Sequence, residues 1–208
     1  VDQTFLFVLK VFMGFFAIMN PFGNTSIFMG LTGEMSSPEK KRVAVKSTVL
    51  AFIIVFFFTL LGTFIFKAFG ISLPAFQIAG GILLFAVGIQ LIHGNKSSMH
   101  HPKGEELADG SSQSDISISP LAIPILAGPG TIAAAMNFAG ENQSIMNSIL
   151  VVAVFAVICL ITCVFFMISE KLTRVIKPSA MAVIVRLMGL ILSVIAVQMA
   201  ATGIKSFF

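Results

Sequence analysis

Asn20-Pro21-Phe22-Gly23-Asn24-Thr25-Ser26 interrupts a stretch that is otherwise apolar from residue 5 to residue 31. Two amides and two hydroxyls beside a proline and a glycine are the groups of a binding site rather than of a reaction centre. Pro21 cannot donate to a helix, its ring clashes with the preceding turn, and Gly23 adds backbone freedom. At membrane depth, the backbone groups so released must find partners in the protein or in a water-filled cavity. A second interruption lies at Leu121-Ala122-Ile123-Pro124-Ile125-Leu126-Ala127-Gly128-Pro129-Gly130-Thr131. If helices restart after Gly23 and near Gly130, the amides of Asn24, Thr25 and Ser26, and of Thr131 and Ile132, become unpaired donors at positive helix ends. Carbonyls released by Pro21, Pro124 and Pro129 point the other way and accept from an ammonium or a cation. Donors and acceptors without side-chain charge suit a small zwitterion. The competing reading is that these residues only kink packed helices.

Other chemistry lacks its residues. Glu34, Asp115, Glu141 and Glu170 sit at segment ends or in loops, and no histidine lies deep in an apolar segment. Intramembrane hydrolysis needs an aspartate pair, a Ser–His pair or a metal site, so no enzymatic activity and no cofactor are expected. A carboxylate proton relay is missing for the same reason. Cys159 and Cys163 read as packing residues. His93, His100 and His101 match no metal-binding spacing, so no metal site is expected. Arg186 is the charge set deepest inside an apolar segment, either facing the interior, where it could hold a substrate carboxylate, or snorkelling and pairing with Glu170. Gln77, Gln90, Asn137 and Gln198 read as buried amides, with Gln90 and Gln198 bridging helices.

The elements that must position these groups follow from composition. The chain has 208 residues, 57% hydrophobic and 11% charged, with mean hydropathy +1.00. Soluble domains carry roughly 25% charged residues, so the class is an all-α polytopic membrane protein. The basic residues lie in short loops and do not suggest nucleic acid. Six apolar segments, at 5–31, 43–66, 74–92, 116–139, 145–168 and 180–203, each approach the roughly 20 residues that cross a hydrocarbon core. The first and fourth are the broken ones.

One constant offset along the chain superposes Pro21 on Pro129, Gly81 on Gly189, Gln90 on Gln198 and Phe57-Phe58 on Phe165-Phe166. This predicts six transmembrane helices in two three-helix halves, 1–93 and 118–208, joined by a mobile polar linker at 94–117. Three spans per half is an odd number, so the second half is inverted, a recurring transporter plan. Lys40, Lys41, Arg42, Lys46, Lys96, Lys103, Lys171, Arg174 and Lys177 fall on one side against Lys10, Lys67 and Lys205 on the other. The positive-inside rule then puts both termini outside. The first segment lacks a small-residue cleavage site, so no secretory signal peptide is expected. Trp and Tyr are absent, which leaves 22 Phe and the flanking Lys to serve at the interfaces.

Three motifs in order, Asn20-Pro21-Phe22-Gly23, Pro120 through Gly130, and Arg186-Leu187-Met188-Gly189-Leu190-Ile191-Leu192, resemble the MarC family over almost the whole chain. Phe22 stands where many members carry a small or cyclic residue. The resemblance implies a six-span inner-membrane protein of bacteria or archaea, some of whose members are described as neutral amino acid transporters. The motifs transfer to Asn20, Pro21, Gly23, Gly128, Pro129, Gly130 and Arg186. The expected function is secondary transport of glycine- or alanine-like amino acids by alternating access, with Na⁺ coupling or uncoupled exchange. The substrate site would comprise Asn20, Pro21, Gly23, Asn24, Thr25, Gly128, Pro129, Gly130, Thr131 and Arg186. The alternatives are a passive channel or exporter for other small solutes and a non-transporting membrane scaffold or stress protein. A homo-oligomer is compatible with the sequence.

Overall fold

The structure is a computed structural model that describes residues 3–93, 126–141 and 145–207. Its described residues form helices and no strand: α1 (Gln3–Met19), α2 (Pro21–Thr32), α3 (Ser37–Phe69), α4 (Leu73–His93), α5 (Pro129–Gly140), α6 (Ile145–Met167), α7 (Ser169–Val175) and α8 (Pro178–Phe207). Five stretches are long and apolar enough to cross a membrane: Gln3–Thr32, Ser37–Gly62, Leu73–His93, Ile145–Met167 and Ser179–Ser206. Six were expected. The fourth begins outside the described residues, and its described part, α5, has 12 residues. That is about 18 Å of helix, short of a ~30 Å core. The 94–117 linker and Pro124 also lie outside the described residues.

Local chemistry sets several helix ends. Glu39 Oε2 accepts the Ser36 amide at 2.8 Å and its hydroxyl at 2.7 Å, opening α3 with a carboxylate at the positive end of its dipole. Gly70 closes α3 in the left-handed region (φ 64°), where the Ile71 amide reaches the Phe66 carbonyl at 2.9 Å. Pro74 then lies in the first turn of α4, so the two helices join by a tight turn.

With lipid outside and protein inside equally apolar, packing depends on shape. Phenylalanines interlock α1 and α2 with α6. Phe15 meets Phe155 (centroids 4.8 Å), Phe22 meets Phe165 edge-on (4.9 Å), and Phe28 stacks on Phe166 (4.5 Å, 7°). The Phe residues therefore build core as well as surface; Phe57, Phe58 and Phe64 remain exposed.

The most extensive contact joins α4 to α8, and small residues let the backbones touch. A methyl group built on Gly81 would lie 2.8 Å from the Ala196 carbonyl oxygen and 2.9 Å from the Ala200 nitrogen. One on Gly189 would lie 2.7 Å from the Gly88 oxygen and 2.9 Å from the Ile92 nitrogen, and one on Gly203 would lie 2.7 Å from the Pro74 oxygen. Early residues of α4 meet late residues of α8, so the two helices run antiparallel.

Candidate functional site

The first interruption is a one-residue joint. Asn20 adopts φ 36°, ψ 67° and is the only non-glycine with positive φ among the described residues. Asparagine tolerates this left-handed conformation, and a residue before proline is held away from the helical region. Helix α2 restarts at Pro21, not after Gly23 as the sequence suggested. Pro21 takes the first helical position, where a missing N–H costs nothing.

Side chains close this joint. Asn20 Oδ1 accepts the Gly23 amide (3.2 Å), and the Asn20 carbonyl accepts the Asn24 amide (3.0 Å). Asn24 Nδ2 donates to the Met19 carbonyl (2.6 Å), and the Thr25 hydroxyl donates to the Pro21 carbonyl (2.6 Å). The amide of Asn24 is therefore not a free donor, and Thr25 and Ser26 lie beyond the first turn of α2. Among the described residues the Ala17 and Ile18 carbonyls and the Phe22 amide take no bond across the joint; the helical partner of Ala17 four positions on is Pro21, which has no N–H.

The second interruption is built differently. Gly128 precedes α5 in extended conformation (φ −67°, ψ 169°) and, as glycine, has no side chain to cap it. Its carbonyl accepts the Ile132 amide at 3.1 Å. The amides of Gly130 and Thr131 lie ahead of that first helical bond and have no helical acceptor. Gly130 is buried, and Thr131, 2% exposed, makes no side-chain hydrogen bond among the described residues. Pro129 is exposed. Among the described residues these donors are uncapped, and such donors at a helix N-terminus favour an anion or a carboxylate.

Helices α1 and α5 run antiparallel past each other, tied by Lys10 to Glu141 and by Phe15 to Phe138 (centroids 5.7 Å, edge-on). Asn20 lies ten positions beyond Lys10 (20 − 10), and Thr131 ten before Glu141 (141 − 131). At about 1.5 Å per residue, both interruptions sit roughly 15 Å below the ion pair. That is about half of a ~30 Å hydrocarbon core.

Arg186 is not drawn into the joint. It is exposed on α8 and makes no hydrogen bond or ion pair among the described residues. Its neighbour Val185 faces α2, with Cγ2 3.3 Å from where a Gly23 methyl would stand. Glu170 instead pairs with Lys40 at 2.8 Å. Among the described residues no three His, Cys, Asp or Glu side chains converge as metal ligands.

A second polar feature was read from the sequence only as packing. Gln77 Nε2 donates to Asn137 Oδ1 at 2.8 Å, and each residue is 5% exposed. Among the described residues that bond leaves Asn137 Nδ2 and Gln77 Oε1 without protein partners. An unsatisfied buried polar group costs about 1–3 kcal/mol. Both line a cavity of about 60 Å³ with Gln198 and Thr202. Lys10 and Glu141 stand at its rim, in contact at 2.7 and 2.9 Å. Gln198 is exposed and bridges no helices. The available signal was that two amides in apolar helices require partners, and each is the other's.

The comparisons agree with the motif resemblance. The model of the MarC family of integral membrane proteins matches residues 5–208. The UPF0056 membrane protein YvbG of Bacillus subtilis is 39% identical over 209 residues, spanning 99% of this chain and 98% of its own. A UPF0056 membrane protein of Methanocaldococcus jannaschii is 37% identical over 199 residues, spanning 96% of each chain. YhcE of Escherichia coli, another UPF0056 membrane protein, is 31% identical over 202 residues, spanning 96% of this chain and 92% of its own. No solved structure matches the chain. With helices that cross a membrane several times and a match running almost end to end, this multi-pass chain belongs to the MarC family of integral membrane proteins.

Proposed function

We propose that the chain is a secondary transporter of small neutral amino acids, of the glycine or alanine type, working by alternating access between two inverted halves. The observation that carries this reading is the uncapped, buried start of α5. The Gly130 and Thr131 amides and the Thr131 hydroxyl lie there at mid-depth, level with the Asn20 joint. In this reading the substrate carboxylate meets those donors, and its ammonium faces the Ala17 carbonyl across the pair of interruptions. The closed α2 start then acts as a rigid wall, and the donor half of the site belongs to α5.

The inverted repeat draws support from the α4–α8 contact. The offset that carries Pro21 to Pro129 also carries Gly81 to Gly189, and its reverse carries Ala196 to Gly88 and Ala200 to Ile92. The two approaches have nearly the same size: 2.8 Å from Gly81 to the Ala196 oxygen and 2.7 Å from Gly189 to the Gly88 oxygen. Helix starts at Pro21 and Ser37 likewise recur at Pro129 and Ile145. In this reading residues 116–139 form the fourth of six spans and the nine-to-three loop charges put both termini outside. Coupling is to Na⁺ or absent, since no carboxylate lies inside a span. No catalysis is assigned to the chain.

The test is purified protein in liposomes with radiolabelled glycine and alanine, with and without Na⁺ and proton gradients. Saturable uptake with counterflow is expected. No uptake of any neutral amino acid would overturn the substrate class, and unsaturable flux with unitary currents would mark a passive pore.

A further inference from the structure

We propose that the cavity between α1, α4, α5 and α8 is a second binding site for a small zwitterion, placed at the end of the bundle where both termini lie. The ligand class rests on the transport reading, but the site does not share its residues. Asn137 Nδ2 has two N–H donors and Gln77 Oε1 has lone pairs, all buried and without protein partners among the described residues. These are one donor and one acceptor side by side, the complement of a carboxylate beside an ammonium. At the rim, Lys10 and Glu141 repeat the same order of charge, and Gln198 offers a side-chain amide without a partner among the described residues. A cavity of about 60 Å³ admits only a small solute. Its floor is polar while the walls from Phe138 and Met199 are apolar, the usual make-up of a small-molecule site.

The recess is one-sided. Under the offset that relates the halves, Gln77 becomes Val185, and carried back, Asn137 becomes Met29, so the other half has no amide pair at the matching place. A solute can thus be held at the terminal side before it reaches mid-depth.

The experiment is equilibrium binding of radiolabelled glycine to the whole protein in lipid nanodiscs, with Asn137→Leu, Gln198→Leu and Gly130→Leu compared with wild type. Two classes of site are expected in wild type. Asn137→Leu weakens one class about tenfold or more, the loss of hydrogen bonds to a charged ligand. Gln198→Leu, exposed and harmless to folding, weakens the same class by about threefold. Gly130→Leu removes only the other class. A single class lost in Gly130→Leu and untouched by Asn137→Leu and Gln198→Leu would overturn the second site while leaving the transport reading intact. A single class that responds to Asn137→Leu, in protein that takes up nothing in liposomes, would support the site and sink transport. No saturable glycine binding up to about 10 mM would overturn the second site.

Discussion

Replacing Gly81 or Gly189 with alanine tests the backbone contact between α4 and α8. A Cβ at Gly81 would sit 2.8 Å from the Ala196 oxygen, where ordinary contact begins at 3.4 Å. The helices must part by about 0.6 Å (3.4 − 2.8), and the opposing atoms are main chain and the Ala200 Cβ, with no flexible tip to swing aside. Overpacking of this kind costs about 1–3 kcal/mol. At Gly189 the clash is with the Gly88 oxygen at 2.7 Å, so the two substitutions should cost the same within about 0.5 kcal/mol. Once the helices have separated for one methyl group, the second enters at reduced cost, and the double variant should fall short of the sum. Gly30→Ala is the control, since nothing lies within 4 Å of the added methyl. The chain has no Trp or Tyr, so thermal unfolding in detergent is best followed by circular dichroism. For about 200 residues, the expected loss is roughly 2–12 °C for each single variant and none for Gly30→Ala. Unchanged midpoints in both, or an equal loss in Gly30→Ala, would refute the contact.

Thr131→Val removes a buried hydroxyl that has no partner among the described residues, so thermal stability should hold or rise slightly while glycine uptake into liposomes falls. Uptake at the wild-type rate would remove Thr131 from the site. At the joint, Asn20→Gly keeps the left-handed conformation and should cost only about 0.5 kcal/mol, whereas Asn20→Val places a β-branched residue at φ 36° and should cost roughly 2 kcal/mol or more. The reverse order of unfolding midpoints would contradict the Asn20 geometry. Lys10→Gln should cost less than about 1 kcal/mol, because the Lys10 side chain is 45% exposed and its pair with Glu141 is solvent-screened. The charge-swapped double variant, Lys10→Glu with Glu141→Lys, should unfold within the same margin of wild type.

Much of the architecture was legible because membrane helices announce themselves by length and composition. The proposed register between two halves rests on Pro21 and Gly81, since proline and glycine carry local backbone consequences wherever they fall. The start of α2 was misplaced by a few residues for a related reason. Proline marks a break from sequence, but only geometry reveals that Asn20 can bend and cap in the same step. The closing bonds from Asn24 to Met19 and from Thr25 to Pro21 depend on rotamers that sequence does not state. Gln77 and Asn137 are far apart in the chain and share no local pattern, so their pairing emerged only when α4 lay beside α5. Arg186 could be placed along α8 by counting, but not around it; its exposure depends on which face α4 occupies.

The two close approaches at Gly81 and Gly189 have a form normally met between separate molecules. Residue i touches residue j, and the partner of j touches the partner of i, as across the axis of a symmetric dimer. Under the proposed inverted repeat this is an isologous interface carried within one chain, and either half expressed without the other would present a glycine-lined face suited to an antiparallel twin. A substitution on that face would then count twice, once for each copy.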